Sequence, residues 1–229
     1  MDYVVYCNES RHTQEGHTPC IAIGSLWVSR THKLALTREF RALCQSVGLN
    51  AQIKWNKVSH KRLEAYKRIV DFFFAQNTLQ FIVIVVNLGD LSNYLDTEPN
   101  LGVYKFYNLM LIQGISEGNQ YLILVDFKNH KGSAHWNNLR PLLESSIGSD
   151  ARILELTVID AMKSPLAQLC DVLTGAVAAS WYGLKADSPK AVLAAYIAEK
   201  LGLPSLQVET LKLAPGKFNI FTNSVALGV

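Results

Sequence analysis

Carboxylate and amide side chains occur at four places where the surrounding residues predict a buried strand or helix. Asn8-Glu9-Ser10 follows the β-branched and aromatic segment DYVVYC, and Asp126 closes the apolar segment YLILVD. The third place is Gln52-Ile53-Lys54-Trp55. The fourth is a stripe at spacing i, i+4, i+7 and i+11 on one face of an otherwise apolar predicted helix, made of Ser164, Gln168, Asp171 and Gly175. A polar stripe on an apolar helix is directed at a polar partner.

Three of the polar residues are predicted to end strands. Asn8, Asp126 and Asp160 each stand at the carboxyl end of a predicted strand, which is where sites form in open α/β sheets. If the first strand and YLILVD are neighbours, their ends converge and Asp171 approaches from its helix. Clustered acidic oxygens suit Mg²⁺ or Mn²⁺. Two such ions activate a water and stabilise the leaving oxygen in phosphodiester cleavage.

Each of these residues also has an ordinary structural interpretation. Asn8 and Asp126 are of types that form turns, and a lysine such as Lys54 is more often solvated than bound to phosphate. Asp171 is different, because a carboxylate buried among Leu and Val needs a metal, a lysine or several hydrogen bonds. Residue types and spacing therefore leave the metal site and the structural role both open.

The elements that must position these residues alternate between strands and helices. Hydrophobic periodicity predicts strands at 2–7, 21–28, 79–88, 121–126, 152–160 and 217–222. It predicts helices at 32–47, 103–115, 133–147, 164–183 and 188–201. A further helix is predicted to begin after Ser59, which is a candidate N-cap. The first two strands form an antiparallel pair around a loop at 8–19, and the uniformly apolar strand 79–88 is covered on both faces. We expect one α/β domain over 1–229, a mixed sheet with helices on both faces, in which 185–229 is a helical and strand extension.

Composition narrows the class of protein further. Of the 229 residues, 49% are hydrophobic and 18% charged, which supplies a substantial core and excludes wholesale disorder. With 22 basic and 19 acidic residues the net charge is +3, which does not favour a polybasic DNA coat but leaves a local basic groove open. The four cysteines form no CxxC pair, and neither a signal peptide nor a membrane span is visible. We expect a protein of the reducing cytoplasm with no membrane partner.

The motifs taken together resemble a known family. Tyr6-Cys7-Asn8-Glu9-Ser10 resembles a Y-x-D-E-S opening, the segment QIKWNKVS from Gln52 resembles E-(L/I)-K-W-s-k-v-s, and Asp126 resembles an aspartate that closes a strand. Asp160 and the segment from Ser164 to Ala176 resemble D-S-k-s-x-x-L-Q-x-A-D-l-l-x-G-a. In this order, from Tyr3 to about Ser180, the chain resembles the bacterial domain of unknown function family 3800, which is grouped with the ribonuclease H-like superfamily.

The resemblance implies a ribonuclease H-like core and four acidic positions for two-metal chemistry on nucleic acid with Mg²⁺ or Mn²⁺. These positions fall on Asn8, Gln52, Asp126 and Asp171, while Glu9 and Asp160 match further acidic positions of less defined role. The metal ligands would be Asp126 and Asp171, helped by Asn8, Glu9 and Asp160. Gln52 would mark the second metal or the attacking water. Lys54 would contact a phosphate, and Ser164 and Gln168 would orient ligands or backbone around the site.

Two of the four expected carboxylates are amides. Asn8 stands where the family has Asp, and Gln52 where it has Glu. An amide oxygen can contact a cation but adds no negative charge, so two divalent ions close together become unfavourable. Three explanations stay open: a naturally degenerate member that binds without cutting, an engineered inactive form, or an altered metal site built on Glu9 and Asp160. The double amide pattern favours an inactive or impaired sequence.

Three functions compete at this point. The first is a metal-dependent nuclease-type domain, in a mobile-element or phage-defence setting as the resemblance suggests, acting on RNA, DNA or a hybrid. The second is a silent nucleic-acid-binding module that uses a basic helix, whose charges are equally typical of a solvated face: Lys57, Lys61, Arg62, Lys67 and Arg68. The third is a protein-interaction or homo-oligomeric component, with Leu206–Val229 as docking segment or edge strand. An acyl or peptide hydrolase is not favoured, because no GxSxG elbow is present.

Overall fold

The computed structural model describes residues 1–12, 20–87, 99–126, 136–210 and 216–222. The strands in this part of the chain are β1 Asp2–His12, β2 Cys20–Ser29, β3 Leu79–Asn87, β4 Gln120–Asp126, β5 Arg152–Ile159 and β6 Phe218–Thr222. The α-helices are α1 Arg30–Ser46, α2 Leu63–Ala75, α3 Pro99–Ile112, α4 Trp136–Ser146, α5 Pro165–Tyr182 and α6 Pro189–Lys200. Short 3₁₀ turns lie at Trp55–Lys57, His60–Arg62 and Ala161–Lys163.

The strands form one mixed sheet in the order β5-β4-β1-β2-β3-β6. Strands β1, β2 and β3 are successive antiparallel neighbours. Strand β4 runs parallel to β1 on its other side, β5 runs parallel to β4, and β6 runs parallel to β3. The predicted α/β class and the predicted antiparallel β1–β2 pair are confirmed, and β6 is an edge strand.

Apolar side chains of the sheet alternate between two cores. On one face, Val4 and Tyr6 of β1 pack with α1, α2, α5 and α6. On the other face, Val5 and Cys7 pack with α3 and α4. Strand β3 contributes fully buried side chains to both cores, as its continuous apolar run predicted. Helices therefore cover both faces, and the parity of a residue along β1 decides which core it faces.

Helix α5 lies directly on β1 and β2. A Cβ on Gly24 of β2 would fall 2.1 Å from the Thr174 hydroxyl of α5, so only glycine permits this approach. Thirteen residues of α5 are buried, including Gln168. The face of the sheet beneath α5 is thus the place where polar strand residues and the polar stripe of α5 can meet.

Several predicted boundaries are wrong. Strand β1 continues through Asn8 to His12, because β2 supplies pairing partners for each of these residues; Asn8 therefore lies inside a strand and not in a loop. Ser59 does not cap α2: it precedes the 3₁₀ turn His60–Arg62 without a capping hydrogen bond. Helix α3 begins at Pro99 and ends at Ile112, earlier than expected, and α4 accommodates Pro141 within its span. Residues 13–19, 88, 133–135, 211–215 and 223–229 of the predicted segments lie outside the described residues.

Candidate functional site

Asn8 and Asp126 lie side by side on the α5 face of the sheet. The parallel β1–β4 register pairs Cys7 with Val125, so Asn8 and Asp126 follow as the next pair. Their neighbours of the same parity, Tyr6 and Leu124, both belong to the core under α5. Asn8 is 5% exposed. The predicted convergence of these two residues is therefore present in the structure.

Asp171 of α5 completes the polar centre. Its Oδ2 accepts a hydrogen bond from Asn8 Nδ2 at 3.3 Å, and its Oδ1 accepts one from the Trp55 backbone N–H at 2.8 Å. The N/O orientation of Asn8 follows from chemistry, because a flipped amide would set its oxygen against a carboxylate. Two N–H donors thus satisfy the half-buried carboxylate of Asp171, which is one of the arrangements the sequence left open.

Gln168, one turn earlier on α5, fixes the segment that precedes Trp55. Its Oε1 accepts from the Ile53 N–H at 2.7 Å, while its Nε2 donates to the carbonyls of Ala161 (3.3 Å) and Met162 (2.9 Å). Gln168 is 8% exposed. It therefore links two backbone segments, 53–55 and 161–162, to the start of α5.

Gly175, the last member of the stripe, makes room for Trp55. A Cβ at this position would lie 2.3 Å from Trp55 Cγ. The indole is buried, and the Lys190 ammonium lies 5.7 Å from the ring centroid. The stripe of α5 is thus directed at residues 53–55. Tyr66, which sequence reasoning did not select, holds the same segment by donating to the Lys54 carbonyl at 2.8 Å and accepting from the Lys54 N–H at 3.3 Å.

Gln52 stands one residue before this clamped segment, in the wall of a cavity of about 770 Å³ that Gln168 also lines. Its Nε2 is buried and donates to no acceptor among the described residues. No hydrogen bond joins Gln52 to Asn8 or Asp171 within the described residues. Of the four residues singled out by the family resemblance, Asn8 and Asp171 are hydrogen-bonded, Asp126 lies beside Asn8 in the β1–β4 register, and Gln52 lies along the adjoining segment.

Asp126 and Asp160 occupy the carboxyl ends of β4 and β5. Asp126 Oδ1 accepts from the Ala161 N–H at 3.3 Å. Asp160 caps the following 3₁₀ turn by accepting from the Met162 N–H at 2.9 Å, and its half-exposed side chain lies 4.0 Å from the Lys163 ammonium. Asp126 faces the polar centre, whereas Asp160 serves as a turn-capping residue at its rim.

Glu9 lies on the opposite face of the sheet. Its parity is that of Val5 and Cys7, which belong to the core under α3 and α4. Burial of the phenol raises the pKa of Tyr104 on α3, and the nearby charge of Glu9 raises it further. The structure therefore does not bring Glu9 together with Asn8, Asp126 and Asp171.

Burial dominates the electrostatics around the centre. Desolvation raises the pKa of Cys170 strongly, and the neighbouring charges of Asp171 and Asp126 add to this shift. Burial likewise raises the pKa of Tyr6 to about 12, against a hydrogen bond with Ser164 that lowers it. Both groups stay protonated at neutral pH, and Cys170 Sγ donates to the Tyr6 carbonyl at 3.1 Å. Cys170 therefore contributes to packing, and its protonated thiol does not act as a nucleophile.

The residues present do not fit a pair of divalent cations. Both oxygens of Asp171 receive N–H donors, and the donor from Asn8 is an amide nitrogen, which cannot ligate a cation. Across the described ranges, no group of three or more His, Cys, Asp or Glu side chains is placed to hold a metal. The Asn8–Asp171 hydrogen bond instead joins β1 to α5 directly.

The basic segment proposed from the sequence is not one helix face, because Lys57, Lys61 and Arg62 lie in 3₁₀ turns that precede α2. Lys67 lies 2.9 Å from Glu64 and over the Tyr196 ring at 5.5 Å, toward α6. Lys61, Arg62 and Arg68 are exposed.

Within the described residues, no helix is both long and apolar enough to cross a membrane.

Comparison with known proteins finds only distantly similar structures. No protein-family model matches the chain. No curated protein matches it. Similar solved structures include ribonuclease H2 from Pyrococcus horikoshii OT3, at TM-score 0.45 and 13% identity over 90% of this chain and 92% of that chain. Two structures of Bst-RNase HIII, one a mutant and one in complex with Mn²⁺, give TM-scores of 0.39 and 0.40 at 12% identity, over 90% of this chain and 64% of theirs.

The sheet itself defines the fold class. Three antiparallel strands followed by two parallel strands on the β1 side, with helices on both faces, are the ribonuclease H-like arrangement. Strand β6 extends it beyond β3. The ribonuclease H-like α/β fold expected from the sequence is confirmed.

Proposed function

We propose that this protein is a nuclease-type domain of family 3800 whose cation centre is replaced by a hydrogen-bonded amide–carboxylate pair. In this proposal it engages nucleic acid but hydrolyses phosphodiesters weakly or not at all. The observation that carries the proposal is the hydrogen bond from Asn8 Nδ2 to Asp171 Oδ2. It lies on the α5 face of the sheet, beside the carboxyl end of β4, and α/β enzymes place their chemistry at the carboxyl ends of strands.

Isosteric amides support this proposal because they preserve packing while removing charge. With Asp at position 8, two carboxylates would face each other about 3.3 Å apart, a contact that requires a cation or a shared proton. With Asn, the contact is an ordinary hydrogen bond and no cation is needed. We assign Asp126 and Asp171 as the carboxylates that would ligate Mg²⁺ or Mn²⁺ once the acids are restored. Gln52 is assigned the position of the second-cation ligand.

The clamp residues have positioning roles in the proposed site. Gln168 holds Ile53 and the 161–162 carbonyls, so we assign it to the support of the 52–55 segment and not to the substrate. Ser164 hydrogen-bonds Tyr6 at the start of α5. Lys54 remains a proposed phosphate contact within the clamped segment.

The test is hydrolysis of labelled RNA, DNA and RNA–DNA hybrid by the wild type, Asn8→Asp, Gln52→Glu and the double variant, with Mg²⁺, Mn²⁺ or chelator. We expect cleavage by the double variant to exceed that of the wild type by at least about 100-fold, in line with the contribution of catalytic metals and general bases. Asp171→Asn in the double-variant background is the control and should abolish the gain. Equal cation-dependent cleavage by the wild type and the double variant would contradict the proposal that the cation centre of the wild type is impaired. Absence of both cation binding and cleavage in the double variant would overturn the nuclease-type assignment.

A further inference from the structure

A second polar surface adjoins the Asn8–Asp171 centre. The cavity that holds Gln52 and a second cavity of about 480 Å³ share Arg41, Lys163 and Pro165 in their walls, so they form one groove between α1 and the start of α5. The floor of the smaller cavity includes Tyr6 and Leu124, each two residues before Asn8 and Asp126. The groove therefore runs along the same sheet face and reaches the candidate site.

One side of α1 lines this groove with polar residues at regular spacing. Lys33, Thr37, Arg41 and Gln45 recur every four residues, and each contributes to the wall of one or both cavities. Four residues of helix rise about 6 Å, so the two cations Lys33 and Arg41 are separated by about 12 Å along the axis. A stripe of this kind follows an extended ligand and not a single small one.

The charge of the groove is positive. Lys33, Arg41 and Lys163 line it against one carboxylate, Asp160, and the larger cavity has no acidic residue in its wall. The amino-terminal end of α5, which has no acidic residue in its first turn, opens on the same groove. A helix of this length adds a partial positive charge at that end.

The side-chain amide of Gln52 also bears on which kind of ligand the groove can bind. Its amide nitrogen is a buried donor with no acceptor among the described residues, in the wall of the larger cavity. A buried donor in this state is costly unless a ligand or water accepts its hydrogen bond. A glutamate at this position would instead place a negative charge in the wall of that cavity.

We propose that this groove binds the phosphodiester backbone of a nucleic-acid strand, with Lys33, Arg41 and Lys163 contacting phosphates and the Gln52 amide keeping the adjoining wall free of negative charge. The proposal rests on the proposed function, since it supplies the surface by which an impaired nuclease-type domain holds its ligand. The amide at position 52 then has two consequences: it weakens a cation centre and makes the adjoining groove accept an anion without a cation.

The test measures binding of labelled single-stranded RNA, single-stranded DNA and duplexes to the full chain by fluorescence anisotropy, in chelator and over a series of salt concentrations. Lys33→Gln, Arg41→Gln and Lys163→Gln should each weaken binding about three- to tenfold and lower the slope of log K against log salt by about one, as expected for a lost phosphate contact. Gln52→Glu should weaken binding as well, while Gln52→Met should weaken it less. Arg68→Gln, an exposed cation on α2 outside the groove walls, is the matched control and should change nothing.

Three outcomes would contradict the proposal that the groove binds a nucleic-acid strand. In the first, the Arg41→Gln/Lys163→Gln double variant binds as tightly as the wild type. In the second, only Arg68→Gln loses binding, and in the third, the wild type binds no strand even at low salt. Displacement of the strand by inorganic phosphate at equal phosphate concentration would assign the site to small phosphates instead. Unchanged unfolding midpoints of the variants confirm that binding, and not folding, is affected. Restored cleavage by Asn8→Asp/Gln52→Glu without groove binding would leave the proposed function standing, so the two failures are distinguishable.

Discussion

The amide of Asn8 determines how Asp171 is stabilised. A carboxylate under α5 would be costly without compensation, and the compensation observed is two N–H donors, from Asn8 and from the Trp55 backbone. Charge-assisted hydrogen bonds of this kind contribute about 1.5–3 kcal/mol each. Asp171 is therefore compatible with a core that contains no cation.

Asn8→Asp should convert this contact into a repulsive one. In chelator at pH 7 we expect a loss of about 2 kcal/mol or more in the free energy of unfolding, because a buried donor becomes a second carboxylate. The proximity raises the apparent pKa of the pair in the folded state, so the deficit should shrink as the pH falls and one proton is taken up. Urea unfolding at several pH values, with and without Mn²⁺, measures this. A variant as stable as the wild type in chelator at pH 7 would contradict the account.

Gln168 is expected to require both of its amide functions. It accepts from one N–H and donates to two carbonyls. Gln168→Glu keeps the acceptor but sets a carboxylate against the carbonyls of Ala161 and Met162, whereas Gln168→Met removes all three bonds at similar volume. We expect Gln168→Met to cost about 2–3 kcal/mol and Gln168→Glu more at neutral pH, because it leaves a buried charge facing acceptors. Chemical unfolding ranks the two, and a smaller loss for Gln168→Glu would count against the assigned orientation.

At the scale of elements, α5 works as a platform for the 53–55 segment. Gly175→Ala would push a methyl into Trp55, whose Cγ lies 2.3 Å from the added Cβ. Overpacking of this kind costs about 1–3 kcal/mol or more. In a Trp55→Leu background the same substitution should cost far less, since the smaller side chain can move away. A double-mutant cycle by urea unfolding measures the coupling, and an equal cost in both backgrounds would contradict the assigned contact.

Asp71 connects α2 to α6. It accepts from the Tyr196 hydroxyl at 2.6 Å and pairs with the Lys200 ammonium at 2.8 Å. Burial alone would raise the pKa of Asp71, but the hydrogen bonds from Lys200 and Tyr196 outweigh it and lower the pKa below its usual value.

A lowered folded-state pKa means that Asp71 stabilises the fold above its unfolded pKa and loses this contribution as the pH falls through the folded value. Since its side chain is 35% exposed, solvent screening keeps the contribution to about 1 kcal/mol or less. Asp71→Asn should therefore reduce stability slightly at pH 7 and flatten the fall in stability as the pH drops below about 4, the usual pKa of an aspartate. Unfolding midpoints across that range test it; a wild-type slope in the variant would refute the role.

On the scale of the whole molecule, alternating strands and helices were enough to predict the class of fold. The uniformly apolar run at Leu79–Asn87 and the strand closed by Asp126 were both recognisable because burial on two faces leaves a plain compositional pattern. The end of β1 was not, since Asn8-Glu9-Ser10 has turn-forming residue types and is extended only because β2 pairs with it. Tertiary pairing overrode local propensity there.

The candidate site was predictable in part for the same reason. The spacing of Gln168, Asp171 and Gly175 indicated that they share one face of a helix. The positions of Asn8 and Asp126 at predicted strand ends suggested polar partners for that face. Tyr66 and the backbone donors of Ile53 and Trp55 had no sequence signal, because any residue type offers an N–H. The placement of Glu9 on the far face follows from its odd parity once Asn8 is known to be inside β1.

The distribution of charge refines what the net value of +3 implied. The side chains of Asn8 and Gln52 are uncharged amides, and the groove beside them is lined by Lys33, Arg41 and Lys163. A nearly neutral chain thus contains a local positive surface next to the Asn8–Asp171 centre. Long-range attraction of a polyanion to that surface should weaken with salt.

Calorimetric titration of Mn²⁺ into the wild type and into Asn8→Asp/Gln52→Glu tests the replacement of a cation centre by the Asn8–Asp171 pair most directly. The account predicts no saturable binding to the wild type up to millimolar Mn²⁺, and saturable binding to the double variant that Asp171→Asn removes. Saturable binding to the wild type, with the stoichiometry and affinity of the double variant, would contradict it.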